Sequence, residues 1–162
     1  MIQIAPSPHT SPEMFAADAL THDDKWMPVG TIGHSRPLMY DTHAGSWVSI
    51  LRARGAGTIQ RHRHAAPVTA WTLDGGWGYR EHDWVARAGS FVYEPPGEIH
   101  TLVVPEDCPE MITFFSIAGA MIYLDDAGRQ TGYEDVFSKI DMCRRHYIEV
   151  GLGERYVDQF IR

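Results

Sequence analysis

Two histidines, His62 and His64, stand two residues apart in the run GTIQRHRHAAP. The run is strand-like, and side chains two apart on a strand share a face. Two imidazoles on one face can hold one metal ion. Without a metal, burying both would be costly, and their charges would repel when protonated. A third candidate ligand, His100, closes the run GSFVYEPPGEIH and opens the next strand. Pro95-Pro96-Gly97 reverses the chain just before it, so His100 can return beside the first pair. Three histidines on the wall of a small barrel would occupy one face of an octahedral site, leaving the other positions for water, substrate or dioxygen. Imidazole suits zinc, copper, iron and nickel alike, so the donor set leaves the metal open.

The rest of the chain must position these three rings. At 162 residues it suits one domain, read as a single unit over 1–162 with a core at about 35–125. Short runs rich in β-branched and aromatic residues, separated by turn clusters, predict strands at 38–42, 47–54, 58–64, 68–73, 78–84, 90–94, 99–104, 111–117 and 120–124. Asp74-Gly75-Gly76 is a hairpin signal, because glycine accepts positive φ. Many short strands with little helix mean an all-β sandwich or barrel. Residues 1–9 read as a loose tail. Thr10 or Ser11, then Pro12 and Glu13, predict a short N-terminal helix through about Ala19. Near the other end, Val136, Phe137, Ile140, Cys143 and Tyr147 recur at helical steps and predict an amphipathic C-terminal helix over about 133–150, stopped by Gly151-Leu152-Gly153. Tyr156, Val157, Phe160 and Ile161 should pack on the barrel or on a neighbouring subunit.

Composition excludes several functions. The net charge is −7 and no basic run exceeds Arg144-Arg145, which argues against nucleic acid. No apolar stretch approaches the roughly 20 residues that span a bilayer, so no membrane partner is expected. The N-terminal residues lack the pattern of a signal peptide, and two cysteines, Cys108 and Cys143, make no disulfide framework. A cytoplasmic location is the expectation.

The histidines also fall in two known motifs. G-xxxxx-P-x-G-xx-H is matched by Gly89, Pro95, Gly97 and His100, with Val104 where an Asn often follows. G-xxxxx-H-x-H-xxx-E-xxxxxx-G is matched by His62, His64 and Gly75 in register and by Gly57 one place off. On these residues the sequence resembles the cupin superfamily, which implies a double-stranded β-helix (jelly-roll) barrel. The motif's glutamate falls at Val68, or Thr69 with looser spacing, and neither can serve as that ligand. The resemblance therefore leans away from oxalate-type and germin-like cupins and toward three-histidine iron dioxygenases such as acetylacetone dioxygenase. The longer run from RHRHAAPVTAWTLDGG through PPGEIHTLVV, with GYEDVF and HYIEVGLG, is similar to the 2,4'-dihydroxyacetophenone dioxygenase family.

That resemblance implies an iron(II)-dependent cupin dioxygenase, with zinc or nickel able to take the site in a purified sample. Its partners are a small aryl hydroxyketone and O2. The C–C bond beside the ketone carbonyl is cleaved, giving an aromatic acid and formate. A base must take the substrate proton. Similarity to acetylacetone dioxygenase puts Glu94 on the inward face, as base or as orienter of a ligand; Glu98 and Glu81 are its rivals. The same similarity suggests that Arg80 and His82 see the interior, leaving Tyr79 and Glu81 outside; the alternative is an outer ladder of charges. Trp71, Trp77, Tyr93, Phe114 and Phe115 either line the pocket for an aryl ring or fill the core. Competing readings are a zinc-binding, ligand-sensing cupin without catalysis, a diketone-cleaving dioxygenase, and a metal-free epimerase-like cupin. Many cupins pair through their outer sheets, so a homodimer or homotetramer is expected.

Overall fold

The computed structural model describes Ser7 and residues 10–162. The predicted tail over 1–9 thus lies, Ser7 apart, outside the described residues. Twelve strands follow in order: β1 (Met27–Val29), β2 (Gly33–Asp41), β3 (Ser46–Arg54), β4 (Gly57–His64), β5 (Val68–Asp74), β6 (Gly76–Tyr79), β7 (Val85–Arg87), β8 (Phe91–Glu94), β9 (Ile99–Val104), β10 (Glu110–Ala118), β11 (Met121–Leu124) and β12 (Gln130–Glu134). One α-helix, α1 (Val136–Glu149), comes after them. The strands form two six-stranded sheets, β1-β2-β3-β10-β5-β8 and β12-β11-β4-β9-β6-β7, in which every pairing is antiparallel. This is the expected jelly-roll.

Strand alternation builds the core between the sheets. Along β10, Met111, Thr113, Phe115 and Ile117 are buried while the intervening residues are partly exposed. The Asp-Gly-Gly turn joins β5 to β6 and crosses from one sheet to the other. Gly75 has φ +66°, and a Cβ there would lie 1.9 Å from the Glu110 carbonyl oxygen, so both backbone angle and space demand glycine.

Helix α1 begins at Val136 rather than 133 because Asp135 and Ser138 form a capping box: Ser138 N–H donates to Asp135 Oδ1 and Asp135 N–H donates to Ser138 Oγ. Its buried stripe is Val136, Lys139, Ile140, Cys143 and Tyr147, whereas Phe137 stands exposed. After it, a 3-10 helix at Glu154–Phe160 buries Val157 and Phe160, and Arg162 N–H donates to the Tyr40 carbonyl. The C-terminal segment therefore packs on the barrel.

Three expectations need correction. The short helix expected through about Ala19 does not form: residues 11–16 have no regular structure and 17–20 only turn, while a single 3-10 turn follows at Asp23–Lys25. Too few apolar residues there repeat at helical spacing to bury a stripe. The edge strands β1 and β12 were not foreseen, being short and carrying Pro28 and Gly132 respectively. The strand expected over 78–84 ends at Tyr79; Arg80–Asp83 form a turn, and β7 starts at Val85.

Candidate metal centre

The centre is built on the β4–β9 ladder. His62 pairs with His100 in register, and β11 on the other side of β4 places Met121 beside His64 and Tyr123 beside His62. The ladder is not regular. Ile59 pairs with Leu102 and His62 with His100, so three steps on β4 match two on β9. This bulge at Gln60-Arg61 lets Ile59 and His62 both face the core, although their separation is odd. It also frees the Gln60 carbonyl, which lies 2.8 Å from His62 Nδ1. With Nδ1–H donating there, Nε2 is left bare and aimed inward.

The three rings converge. Their ligand nitrogens all lie within 4.8 Å of one another, and His62 Nε2 is 3.1 Å from His64 Nε2. All three residues are buried, His100 completely. The reverse turn after β8 is tied down by Gly97 N–H donating to the His64 carbonyl. This sets the crossing from β8 in one sheet to β9 in the other, the strands that carry Glu94 and His100. Glu94, 2% exposed, points inward with Oε2 3.1 Å from His64 Nε2 and 3.5 Å from His100 Nε2. It pairs in register with Val68, the position where the motif's glutamate is missing, so the neighbouring strand brings a carboxylate to that place. Tyr79 stacks face to face on His100 at 3.7 Å.

Burial and the neighbouring rings disfavour charge on two of the imidazoles. Burial, then the neighbouring His64, lowers His62 to about 4; burial, then His62, lowers His100 to about 3. Burial pushes Glu94 up, but its contacts with His64 and Tyr79 outweigh it and the net shift is downward. Both oxygens of Glu94, both nitrogens of His100 and Nδ1 of His64 lack an aligned hydrogen-bond partner. Orphaned buried polar atoms gathered around one point are costly; a divalent cation held by the three Nε2 atoms would take up His100 Nε2 and face a Glu94 oxygen, leaving the Nδ1 atoms of His64 and His100 unmet. The residues present therefore fit a metal ion, with the histidines as donors and Glu94 beside them.

A cavity opens from the rings into the barrel. Besides His62 and His64 its wall includes Tyr79, Leu102, Phe115, Ile117 and Tyr123. It measures about 60 Å³; a water needs about 10–15 Å³ on this measure, so the space suits about four to six waters or one small organic molecule.

The other expected site residues are not brought here. Arg80 and His82 sit on the exposed turn, and the face that looks inward is that of Tyr79. The strand ends there, so alternation says nothing about residues 80–83. His82 Nε2 is 2.8 Å from Glu98 Oε1 at the surface, and Glu81 accepts from Thr101 N–H and Arg61. Neither Glu98 nor Glu81 reaches the rings; of the three rival carboxylates only Glu94 does. Trp71 is half exposed on the outer face beside Phe91, and Tyr93 is exposed there too. Trp77 is fully buried in the core, with its indole N–H donating to Thr72 Oγ1, but it does not line the cavity. Phe115 does line it, whereas Phe114 pairs outward with Trp71. Missed by the sequence reading were the Gln60 carbonyl and Lys139. The odd Ile59-to-His62 spacing signals the bulge, and Lys139 falls on the helix's apolar stripe.

Comparison with known proteins agrees with this architecture. The profile of the ChrR cupin-like domain matches residues 16–122. An RmlC-like cupin protein of Ralstonia eutropha JMP134 is similar at 32% identity over 78% of this chain and 83% of its own, with TM-score 0.74. Acetylacetone dioxygenase of Acinetobacter johnsonii shares the fold at 18% identity, covering 88% and 97%, with TM-score 0.71. The complex of Rhodobacter sphaeroides SigE with the anti-sigma ChrR is similar over 57% of this chain and 48% of that chain, at 17% identity and TM-score 0.50. No curated protein matches. Two thirds of its length, including all three histidines, lies inside the matched profile, and the chain belongs to the ChrR cupin-like family.

Proposed function

We propose that this protein is an iron(II)-dependent dioxygenase that cleaves the C–C bond between a ketone carbonyl and the adjacent hydroxymethyl carbon of a small aryl hydroxyketone such as 2,4'-dihydroxyacetophenone. The observation that carries the reading is a buried triad of imidazoles, with a carboxylate alongside, opening onto a largely apolar cavity. The products are an aromatic acid and formate. One C–C bond breaks, each fragment gains one atom of the O2, and the four electrons come from the two carbons, so no further reductant is needed.

His62, His64 and His100 would hold the metal, which when bound supplies a site for the substrate oxygens and for electron transfer to O2. The chain's own residues do the rest. The Gln60 carbonyl fixes the His62 tautomer. Tyr79 holds the plane of His100. Glu94 Oε2 accepts the proton from the substrate hydroxyl, within the same cluster of polar atoms. Leu102, Phe115 and Ile117 keep water from the reacting carbons. The neutral histidine set leaves the substrate anion to balance the metal's charge.

The test is oxygen uptake by iron-loaded protein across a panel of hydroxyacetophenones and diketones, with product identification. Uptake with the hydroxyketone, releasing formate, supports the reading; uptake only with a 1,3-diketone transfers it to diketone cleavage. The match to the ChrR cupin-like domain favours one second reading, a metal-binding, ligand-sensing cupin without turnover. Stoichiometric zinc and no uptake with any ketone would select it.

A further inference from the structure

Helix α1 puts a lysine into the cavity. Lys139 is buried on the stripe of α1 that faces the barrel and lines the same cavity as His62 and His64. Among the described lining residues it is the one lysine or arginine. An ammonium carries three N–H donors. One side of it meets Glu134 Oε2, and the Tyr123 hydroxyl donates to that same oxygen at 2.9 Å. The remaining donors have no partner among the described residues. Ser35 and Ser49 open on this cavity from the opposite sheet, and neither hydroxyl has a partner among them either.

The position matters as much as the charge. The Tyr123 ring sits edge-on to His62 at 6.2 Å between centroids, and Glu134 and Lys139 follow beyond its hydroxyl. Lys139 is therefore separated from the histidines by a tyrosine ring and a carboxylate, with hydrocarbon side chains such as Leu51 and Ile117 lining the same space. These donors face the cavity rather than other side chains, and a ligand oxygen placed there would meet them in place of water.

We infer that Lys139, assisted by Ser35 and Ser49, is a specificity determinant: it takes a hydroxyl or phenolate oxygen on the end of the ligand remote from the ketone that faces the histidines. The choice of ligand rests on the aryl hydroxyketone reading above. The cavity selects rings oxygenated at the far end over plain aryl ketones of the same shape, because the plain ring would leave the lysine and serine donors unpaired.

Calorimetric titration of zinc-loaded protein tests this without turnover, using 2-hydroxyacetophenone and its 4'-hydroxy analogue as probes. Wild type is expected to bind the 4'-hydroxy compound about 10–100-fold more tightly, the worth of a hydrogen bond to a charged group. K139M should bring the two affinities within about twofold by weakening only the hydroxylated ligand, and K139R should restore part of the preference. Because K139M leaves Glu134 without its cation, the double variant K139M/E134Q is run beside it and should show the same loss of preference. Equal affinities in wild type, binding of neither ligand by wild type, or a preference that survives in both lysine variants would overturn the inference. A preference that disappears with Lys139 while iron-loaded protein consumes no oxygen would uphold it and count against the dioxygenase reading instead.

Discussion

Two clusters of histidine and glutamate adjoin strand β9, one on each side. Inside, His62, His64 and His100 crowd around Glu94, all four nearly sealed from water. Outside, His82 pairs with Glu98, and Arg61 with Glu81, each side chain about a quarter to a third exposed. The residue types are alike and the chemistry is not. The outer pairs are solvated, and exposed pairs of this kind contribute about 0–1 kcal/mol. The inner groups have surrendered their water without replacing all of its hydrogen bonds, a cost a fold keeps where a ligand repays it. Burial, rather than composition, distinguishes the functional cluster.

The sharpest way to break this comparison is to remove an inner ring. H62A or H100A should drop metal content from about one ion per chain to almost none, read by elemental analysis after dialysis. H82A, one strand away, should leave it unchanged. Retention of metal by H62A would remove the distinction between the clusters.

Acid should expose the same asymmetry in the metal-free protein. His62 and His100 titrate near 4 and 3 in the fold and near 6.5 when unfolded, so between these values the unfolded chain binds more protons. Stability is therefore fully present above about 6.5 and falls as the pH drops toward 3, by up to about 1.4 kcal/mol per unit for each histidine. Glu94, also held low, adds a loss of the same sign below its ordinary range. Urea unfolding at a series of pH values measures the slope, and H62A should flatten it.

Exchanging carboxylates gives a smaller effect. E94Q should weaken metal binding or turnover by about 10–100-fold, the usual cost of losing a group that supports a metal ligand. E98Q should change neither. Least of all, R80A and H82A should shift stability by no more than about 0.5 kcal/mol, as exposed substitutions away from special features do; a larger loss would show the outer turn to be structural.

The same contrast explains what the sequence disclosed. His62, His64 and His100 were legible because strand period and motif spacing agree there, whereas the inward face of Glu94 came only from the resemblance to acetylacetone dioxygenase. Arg80 and His82 were misplaced because the period was extended past Tyr79 into four consecutive polar residues, Arg80-Glu81-His82-Asp83, where no strand continues. Trp71 and Trp77 look equivalent as letters. Only the crossover at Gly75 sends one to the outer face and the other to the core. The bulge before His62 and the lysine on the apolar stripe of α1 depend on long-range pairing, which local pattern encodes only as a mismatch: an odd spacing in one case, a charge among Val136, Ile140 and Cys143 in the other.

The central claim is that three imidazoles gather one cation. Anomalous diffraction from zinc-loaded crystals tests it most directly. The account predicts a single strong peak about 2.0–2.1 Å from the Nε2 atoms of His62, His64 and His100. A peak held by other side chains, such as the His82–Glu98 pair, or none near these rings, would contradict it.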